Sequence, residues 1–267
     1  MFFVHTEFAV RECPRCRHRF TDWQPPDDHV SRVYDDSYFF GGGAGYPDYP
    51  REGDLLREHA RRYAHHIAPY VKPGRLLDVG AACGFLCDGF RSAGWQAEGI
   101  EPNETMAAYG RERLKVCVHT GTLEDFNSPH TYDLIGMIQV LGHFTDPRRA
   151  LEQAAKLTRA GGFWLIETWN SASLTARVFG THWHEYNPPS VLHFFSHRSV
   201  ERLVRQFGFE RVASGHPGKR IAWGHARALL DHQIGRAWFH RLSRLIPDEL
   251  VLPYPSEDLV WTLFRKY

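Results

Sequence analysis

Asp78, Gly80 and Gly84 stand in "RLLDVGAACGF" (75–85), where an apolar run passes straight into a glycine-bearing turn. Glycine removes the side chain that would hold a ligand off the backbone, and it tolerates the angles of a tight turn. Ala82 and Cys83, between the two glycines, are also small. Glu101 follows in "AEGIEP". An acidic residue roughly 20 positions beyond such a turn is placed to accept hydrogen bonds from both hydroxyls of a nucleoside ribose. A dinucleotide would want a third glycine, so that its pyrophosphate could sit on the helix N-terminus. The D-x-G-x-x-x-G spacing suits a nucleoside with an amino-acid tail and no phosphates.

Strands and helices must position these groups. The runs "RLLDVG", "WQAEGIEP", "VCVHTGT", "YDLIGMIQV" and "GFWLIETW" alternate with helix-like stretches such as "ETMAAYGRERL" and "PRRALEQAAKLTRAGG". Such alternation means βαβ units and a parallel sheet. "ERVASG" and the closing "DLVWTLFRK" bring the count to seven strands. The fold predicted is α/β: a Rossmann-like, doubly wound, seven-stranded and mostly parallel sheet. In such sheets ligands bind beyond the carboxyl ends of the strands, where the strand order reverses. Leu55, His59, Tyr63 and Ile67 recur at helical spacing ahead of the sheet, and Pro73-Gly74 is expected to end that helix. Residues 1–50 show too little periodicity for regular structure and read as a wrapping arm. Residues 51–267 form the main domain, with its core at 75–170. An aromatic, proline-broken insertion spans 170–195, and a second, helical one spans 217–250 with a stripe of Leu230, Ile234, Trp238 and Leu242.

"LLDVGAACGF", "GIEP", "GTLEDF", "YDLIGMIQVLGHFTDP", "AGGFWLIETWN" and "HFFSHRSVERLVRQFGFE", in this order, resemble the class I S-adenosylmethionine-dependent methyltransferases. The closing strand is similar to their antiparallel last strand. The resemblance implies S-adenosylmethionine as cofactor. It implies that Asp78, Gly80, Ala82 and Gly84 shape the turn, with Asp78 supporting the methionine amino group. Glu101 would bind the ribose, Pro102 and Asn103 would lie along the adenosine, and Thr122 and Leu123 would flank the adenine. Gln139 would face the methionine end.

The methyl group of a sulfonium is electrophilic, so such an enzyme mainly has to align a nucleophile with it. A hydroxyl acceptor benefits from a general base, and histidine serves near neutral pH. His143 is the first candidate, followed by His193 and His184, with His182 also in the insertion. In relatives that this chain resembles, a Glu-His pair and a preceding acid can hold a divalent metal. Here those acids are Gly142 and Gln139, which removes the oxygen ligands magnesium needs, so no catalytic metal is expected. Ser190-Val191 likewise replaces a Glu-His of the relatives' aromatic segment. Trp183, Tyr186, His193 and Phe194 read as the wall of an acceptor pocket.

In the arm, "ECPRCRHRFTD" resembles half of a zinc ribbon. Structural zinc wants four ligands, and only Cys13 and Cys16 form a pair, with His5, His18 and His29 as substitutes, so a degenerate remnant is favoured. "YDDSYFFGGGAGYPDY" (34–49) resembles a lid over cofactor and acceptor.

With 32 basic and 31 acidic side chains among 267 residues, charge advertises neither nucleic acid nor a membrane surface as partner. Five cysteines do not make a disulfide framework. No secretory leader is recognisable, and the longest apolar run, "LIGMIQVLGHF", is too short and polar to span a bilayer. The expectation is a cytoplasmic methyltransferase acting on a small molecule, most simply at oxygen, with a homodimer left open. The alternative is a catalytically inactive cofactor-binding partner or sensor subunit. Carbon, nitrogen and RNA acceptors rank behind both.

Overall fold

The computed structural model describes residues 3–5, 7–41, 46, 48–218, 220–224, 227, 247, 250–253 and 256–267. Seven strands make one sheet: β1 (Arg75–Val79), β2 (Gln96–Glu101), β3 (Val118–Thr120), β4 (Tyr132–Ile138), β5 (Thr158–Trp169), β6 (Phe209–Gly215) and β7 (Leu259–Lys266). Their order is β6-β7-β5-β4-β1-β2-β3, parallel except for β7, which runs antiparallel between β5 and β6. The seven strands and the reversed last one are as the sequence implied. Chain direction across the sheet reverses between β1 and β4, so a crevice opens beyond their carboxyl ends.

Both faces of the sheet are covered, which is why its strands read as nearly continuous apolar runs. Leu77, Ile135, Met137 and Trp164 point to one side, toward α4 (Pro147–Leu157) and α5 (His197–Arg205). Leu76, Leu134 and Leu165 point to the other, toward α1 (Gly53–Ile67) and α2 (Phe85–Ser92). Trp164 is fully buried, stacks on Phe209 at 3.7 Å and donates its Nε1–H to Thr158 Oγ1 at 2.8 Å. Its polar edge is thus satisfied inside an apolar core. Asp146 caps α4 through the amides of Arg148 and Arg149, with Pro147 at the first helical position. Lys266 closes the other end of α4, donating to the carbonyls of Ala155 at 2.6 Å and Thr158 at 2.8 Å.

Two expectations are corrected. The first helix ends at Ile67, ahead of Pro73-Gly74. The arm is not irregular either. Strands Phe3–His5, Phe8–Glu12 and Arg19–Thr21 form an antiparallel ribbon, extended by His193–Phe194 of the insertion. Strands of three to five residues are too short for periodicity to show, and this ribbon is completed only by a partner far along the chain. Val10 anchors it, packed with Trp183, Tyr186 and Phe194. Two short helices, His29–Val33 and Asp36–Phe40, carry the arm on toward the crevice. The stripe Leu230, Ile234, Trp238 and Leu242 lies outside the described residues. Of the second insertion, Arg220–Ala222 pairs antiparallel with Val251–Pro253.

The joint between arm and insertion holds two stacked imidazoles. His18 Nε2 lies 3.2 Å from His193 Nδ1, and His18 packs on Phe195 at 4.5 Å. Burial, with the neighbouring ring, lowers His18 to about 3, and burial lowers His193 to about 4 despite Asp146. The folded protein therefore keeps both neutral, whereas the unfolded chain protonates them below about 6.5. Their stabilisation is complete above that value and is lost as pH falls from about 6.5 toward 4, by roughly 2 kcal/mol per ring at pH ~5. Denaturant midpoints measured at pH 7 and pH 5 should fall less for H18Q/H193Q than for the wild type; equal falls would remove the pair from the acid response.

Candidate functional site

The crevice is built around Glu101, the last residue of β2. Its carboxylate is almost fully buried and accepts two backbone amides, Ala82 N–H to Oε2 at 2.8 Å and Asn103 N–H to Oε1 at 2.9 Å. Burial raises its pKa above the usual carboxylate range, and the two amides oppose that rise. An ionised carboxylate has about four acceptor positions, so two remain after the amides are served. The opening turn is stitched to the same strand end by Gly80 and Ala81 N–H, which donate to Ile100 O at 2.9 and 3.1 Å. Ala82 sits at φ +46°, a left-handed conformation costly to a residue with a Cβ. Its amide reaches Glu101 in that conformation. Gly80 has φ +69° and would drive a Cβ to 2.7 Å from Val140 Cγ2, so glycine is required there.

Gly80, Ala82, Glu101, Pro102, Thr122, Leu123, Gln139 and His143 all line one cavity of about 210 Å³. Asp78, Gly84 and Asn103 do not. Asp78 is buried in the sheet beside Cys87, and burial lifts its pKa to about 7. It supports the strand beneath the turn rather than the cavity surface. Gly84, at φ +78°, starts α2 and brings it close to Val116 and Val118. Asn103 caps the next helix, α3 (Glu104–Tyr109), by accepting from Met106 N–H at 2.9 Å.

Asn103 also holds the arm. Its Nδ2 donates to Tyr34 O at 3.0 Å and to Asp36 Oδ1 at 3.1 Å, and Thr105 Oγ1 donates to Asp36 Oδ2 at 3.1 Å. Tyr34, Tyr38, Tyr46 and Tyr49 then form much of the cavity wall. Small-molecule sites usually enclose about 300–1,000 Å³. The arm's rings thus narrow the cavity over the turn. Tyr34, which opens the segment 34–49, ties the arm to the far side of the cavity. Tyr34 Oη donates to Ser190 O at 2.8 Å and lies 2.8 Å from His143 Nδ1.

His143 Nδ1 is itself 2.8 Å from Ser190 O. A carbonyl there fixes the proton on Nδ1 and leaves the lone pair on Nε2. Burial lowers the His143 pKa, while the carbonyls of Ser190 and Gln139 favour its charged form. The other proposed bases lie elsewhere. His193 lines a second, tiny space of about 10 Å³ next door, together with Gln139, His143 and Glu167, and its ring is stacked on His18. His184 lines neither space. It packs edge-on against Trp169 and Trp183, 3.8 Å from Asp258, and Trp183 Nε1 holds that carboxylate at 2.8 Å. His182 is exposed.

Beneath Gln139 lies a buried carboxylate that sequence reasoning missed. Glu167 is fully buried in β5, takes the Tyr63 hydroxyl on Oε2 and accepts Gln139 Nε2 on Oε1 at 3.1 Å. Gln139 holds φ +57°, with its amide on Glu167 O at 3.0 Å. The signal available was an acid inside an apolar strand, "WLIETW", opposite a helix stripe containing Tyr63.

Among the described residues, Cys13 and Cys16 have no third metal-ligating neighbour. His18 faces His193, and His29 packs on Trp23. Cys83 and Cys87 are buried thiols, against Met106 and Asp78.

Residues 55–214 match the profile of a methyltransferase-domain family, and the chain belongs to that family. Its fold is that of the class I S-adenosylmethionine-dependent methyltransferases. Among curated proteins it is similar to the ubiquinone biosynthesis O-methyltransferases of Rhodopseudomonas palustris (strain BisB18) and Aromatoleum aromaticum. It is 26% identical to the first over 153 residues, 50% of this chain and 60% of that one, and 27% identical to the second over 150 residues, 51% and 64%. The chain thus spans less than two thirds of the length of these relatives. Among solved structures it resembles an S-adenosylmethionine-dependent methyltransferase of Thermotoga maritima. That match has a TM-score of 0.53 and 23% identity, covering 82% of this chain and 94% of that one. The magnesium protoporphyrin IX methyltransferase of Synechocystis, solved with S-adenosylhomocysteine, matches with a TM-score of 0.52 and 13% identity, covering 80% and 84%.

The site fits this cofactor. A two-amide-bound carboxylate with acceptor capacity to spare suits a ribose, and the backbone at Gly80 is open at the turn. Val79, Ile100 and Leu123 give the apolar wall that an adenine needs. Replacing Tyr34 by Phe keeps the ring but removes its hydroxyl from Ser190 and His143. A buried hydrogen bond contributes roughly 0.5–1.5 kcal/mol, so amide hydrogen exchange across 29–41 should quicken about 3- to 10-fold. Unchanged exchange would mean the latch lies elsewhere.

Proposed function

We propose that this chain moves the methyl group of S-adenosylmethionine to an oxygen of a small-molecule acceptor, with His143 as general base. One observation supports this most: His143 lines the Glu101 cavity and the smaller space beside it, with its Nδ1 held by Ser190 O. Oxygen is favoured by a base whose lowered pKa keeps it neutral, and by the O-methyltransferase names of the curated relatives.

Bound S-adenosylmethionine supplies an electrophilic methyl group. The chain's residues supply the rest. Glu101 takes the ribose hydroxyls, and Gly80, Ala82, Pro102, Thr122 and Leu123 shape the cofactor's seat. Gln139, fixed by Glu167, would form the cavity wall beside His143 where an acceptor could be positioned. His143 Nε2 takes the acceptor's hydroxyl proton, and the carbonyls of Ser190 and Gln139 stabilise the imidazolium that results. Tyr34 and the arm exclude water once the lid is closed. The acceptor pocket joins the lid to the aromatic insertion, and its partner is a small molecule rather than nucleic acid.

The test is methyl transfer from labelled S-adenosylmethionine to catechols, phenols and matched aromatic amines. Oxygen-methylated product is expected, with H143Q lowering kcat by about 10²–10⁴-fold while S-adenosylhomocysteine affinity holds. The acid limb of the kcat profile should lie below pH ~6.5, because burial lowers the base. Nitrogen-methylated product, or an H143Q variant with wild-type kcat, would overturn the assignment. Tight cofactor binding with no turnover on any acceptor would instead favour a binding-only role.

A further inference from the structure

We propose that Glu98, Cys117 and His119 form a site for one zinc-class divalent cation at the edge of the sheet, on β2 and β3 before their carboxyl ends. Strand register brings them together. β2 and β3 are parallel, with Gly99 opposite Val118, and Gly99 N–H donates to Cys117 O at 2.9 Å. Side chains alternate faces along a strand, so Glu98, flanking Gly99, shares a face with Cys117 and His119, flanking Val118. Gly99 and Val118 point the other way, into the core beside α2.

The donor atoms already converge. His119 Nε2 lies 2.9 Å from Glu98 Oε2 and 3.5 Å from Cys117 Sγ, and all three ligand atoms lie within 4.8 Å of one another. Tetrahedral zinc bonds of about 2.1 Å to nitrogen or oxygen and about 2.3 Å to sulfur imply ligand–ligand edges of about 3.4–3.6 Å. The two shorter spacings, 2.9 and 3.5 Å, lie close to those edges, and the third lies within 4.8 Å. A thiolate, an imidazole and a carboxylate are a zinc-type donor set, and sulfur and nitrogen exclude magnesium and calcium.

The surroundings are those of an ordered site. Tyr132 Oη donates to Glu98 Oε1 at 2.6 Å and fixes the carboxylate, leaving Oε2 toward the histidine. The His119 ring packs on Phe126 at 5.0 Å. Arg111, the neighbouring cation, is paired with Glu104 at 2.7 Å. Cys117 is exposed, which leaves a fourth position open to water. On binding, the Cys117 thiol proton goes to solvent and His119 carries its proton on Nδ1, so Nε2 becomes a ligand. The cation would tie the edge strand to β2 three residues before Glu101. Its effect is therefore to stiffen the strand that carries the ribose carboxylate.

Cobalt(II) serves as the probe on the purified full chain. One equivalent should give a near-ultraviolet thiolate-to-cobalt charge-transfer band and intense tetrahedral visible bands, both bleached by zinc(II). C117S should abolish the charge-transfer band, and H119A should weaken cobalt binding at least tenfold. C13S/C16S should keep the band, and zinc should raise the Tm of the wild type but not of C117S. Retained S-adenosylhomocysteine binding shows that each variant is folded. No charge-transfer band in the wild type would overturn the proposal. So would a band that survives C117S and disappears in C13S/C16S, which would place the metal in the arm.

Discussion

The site depends on one carboxylate held by two amides. Glu101 ends β2 with its oxygens on Ala82 N–H and Asn103 N–H, so it joins the β1 turn, the β2 end and the start of α3. Burying an ion without such partners would be prohibitive, and with them it becomes a fixed anchor. The left-handed backbone at Ala82 brings its amide to that carboxylate, while Val140 packs over Gly80 in the same turn. Functional sites commonly store strain of this kind in exchange for preorganisation.

A second buried carboxylate plays the matching part across the crevice. Glu167 draws Tyr63 from α1 and Gln139 from the end of β4 onto one point, and Gln139 adopts its own left-handed conformation there. Two anchored acids thus brace the two sides of the crevice. The arm covers it by packing Phe39 and Tyr49 against Phe85 and Met106, and hydrogen bonds through Asn103, Thr105 and Tyr34 pin it on both sides.

Much of this was legible in the sequence because it is local. The strand–turn–helix at 75–92, the acid ending β2 and the seven-strand count each lie within one short window of chain, where periodicity and glycine spacing speak directly. Thr122, Leu123 and Gln139 fall on the cavity because strand ends must. The arm was misread for the opposite reason: its ribbon is completed by His193–Phe194, over 170 residues away. Glu167 was missed because its meaning lies in partners, Tyr63 and Gln139, that no local pattern couples to it. The histidines divide the same way. His143 follows a strand end and reaches the cavity, whereas His193 is placed by strand pairing with the distant arm and by His18, and His184 by packing on Trp169 and Trp183.

The account's central claim is that Glu101 anchors the cofactor's ribose. Calorimetric titration of the wild type and of E101A with S-adenosylhomocysteine tests it most directly, with thermal unfolding showing that both are folded. The account predicts micromolar binding to the wild type and a loss of about tenfold or more in E101A, as expected when charge-assisted hydrogen bonds are removed. Equal affinity in a folded E101A, or no binding to the wild type, would contradict it.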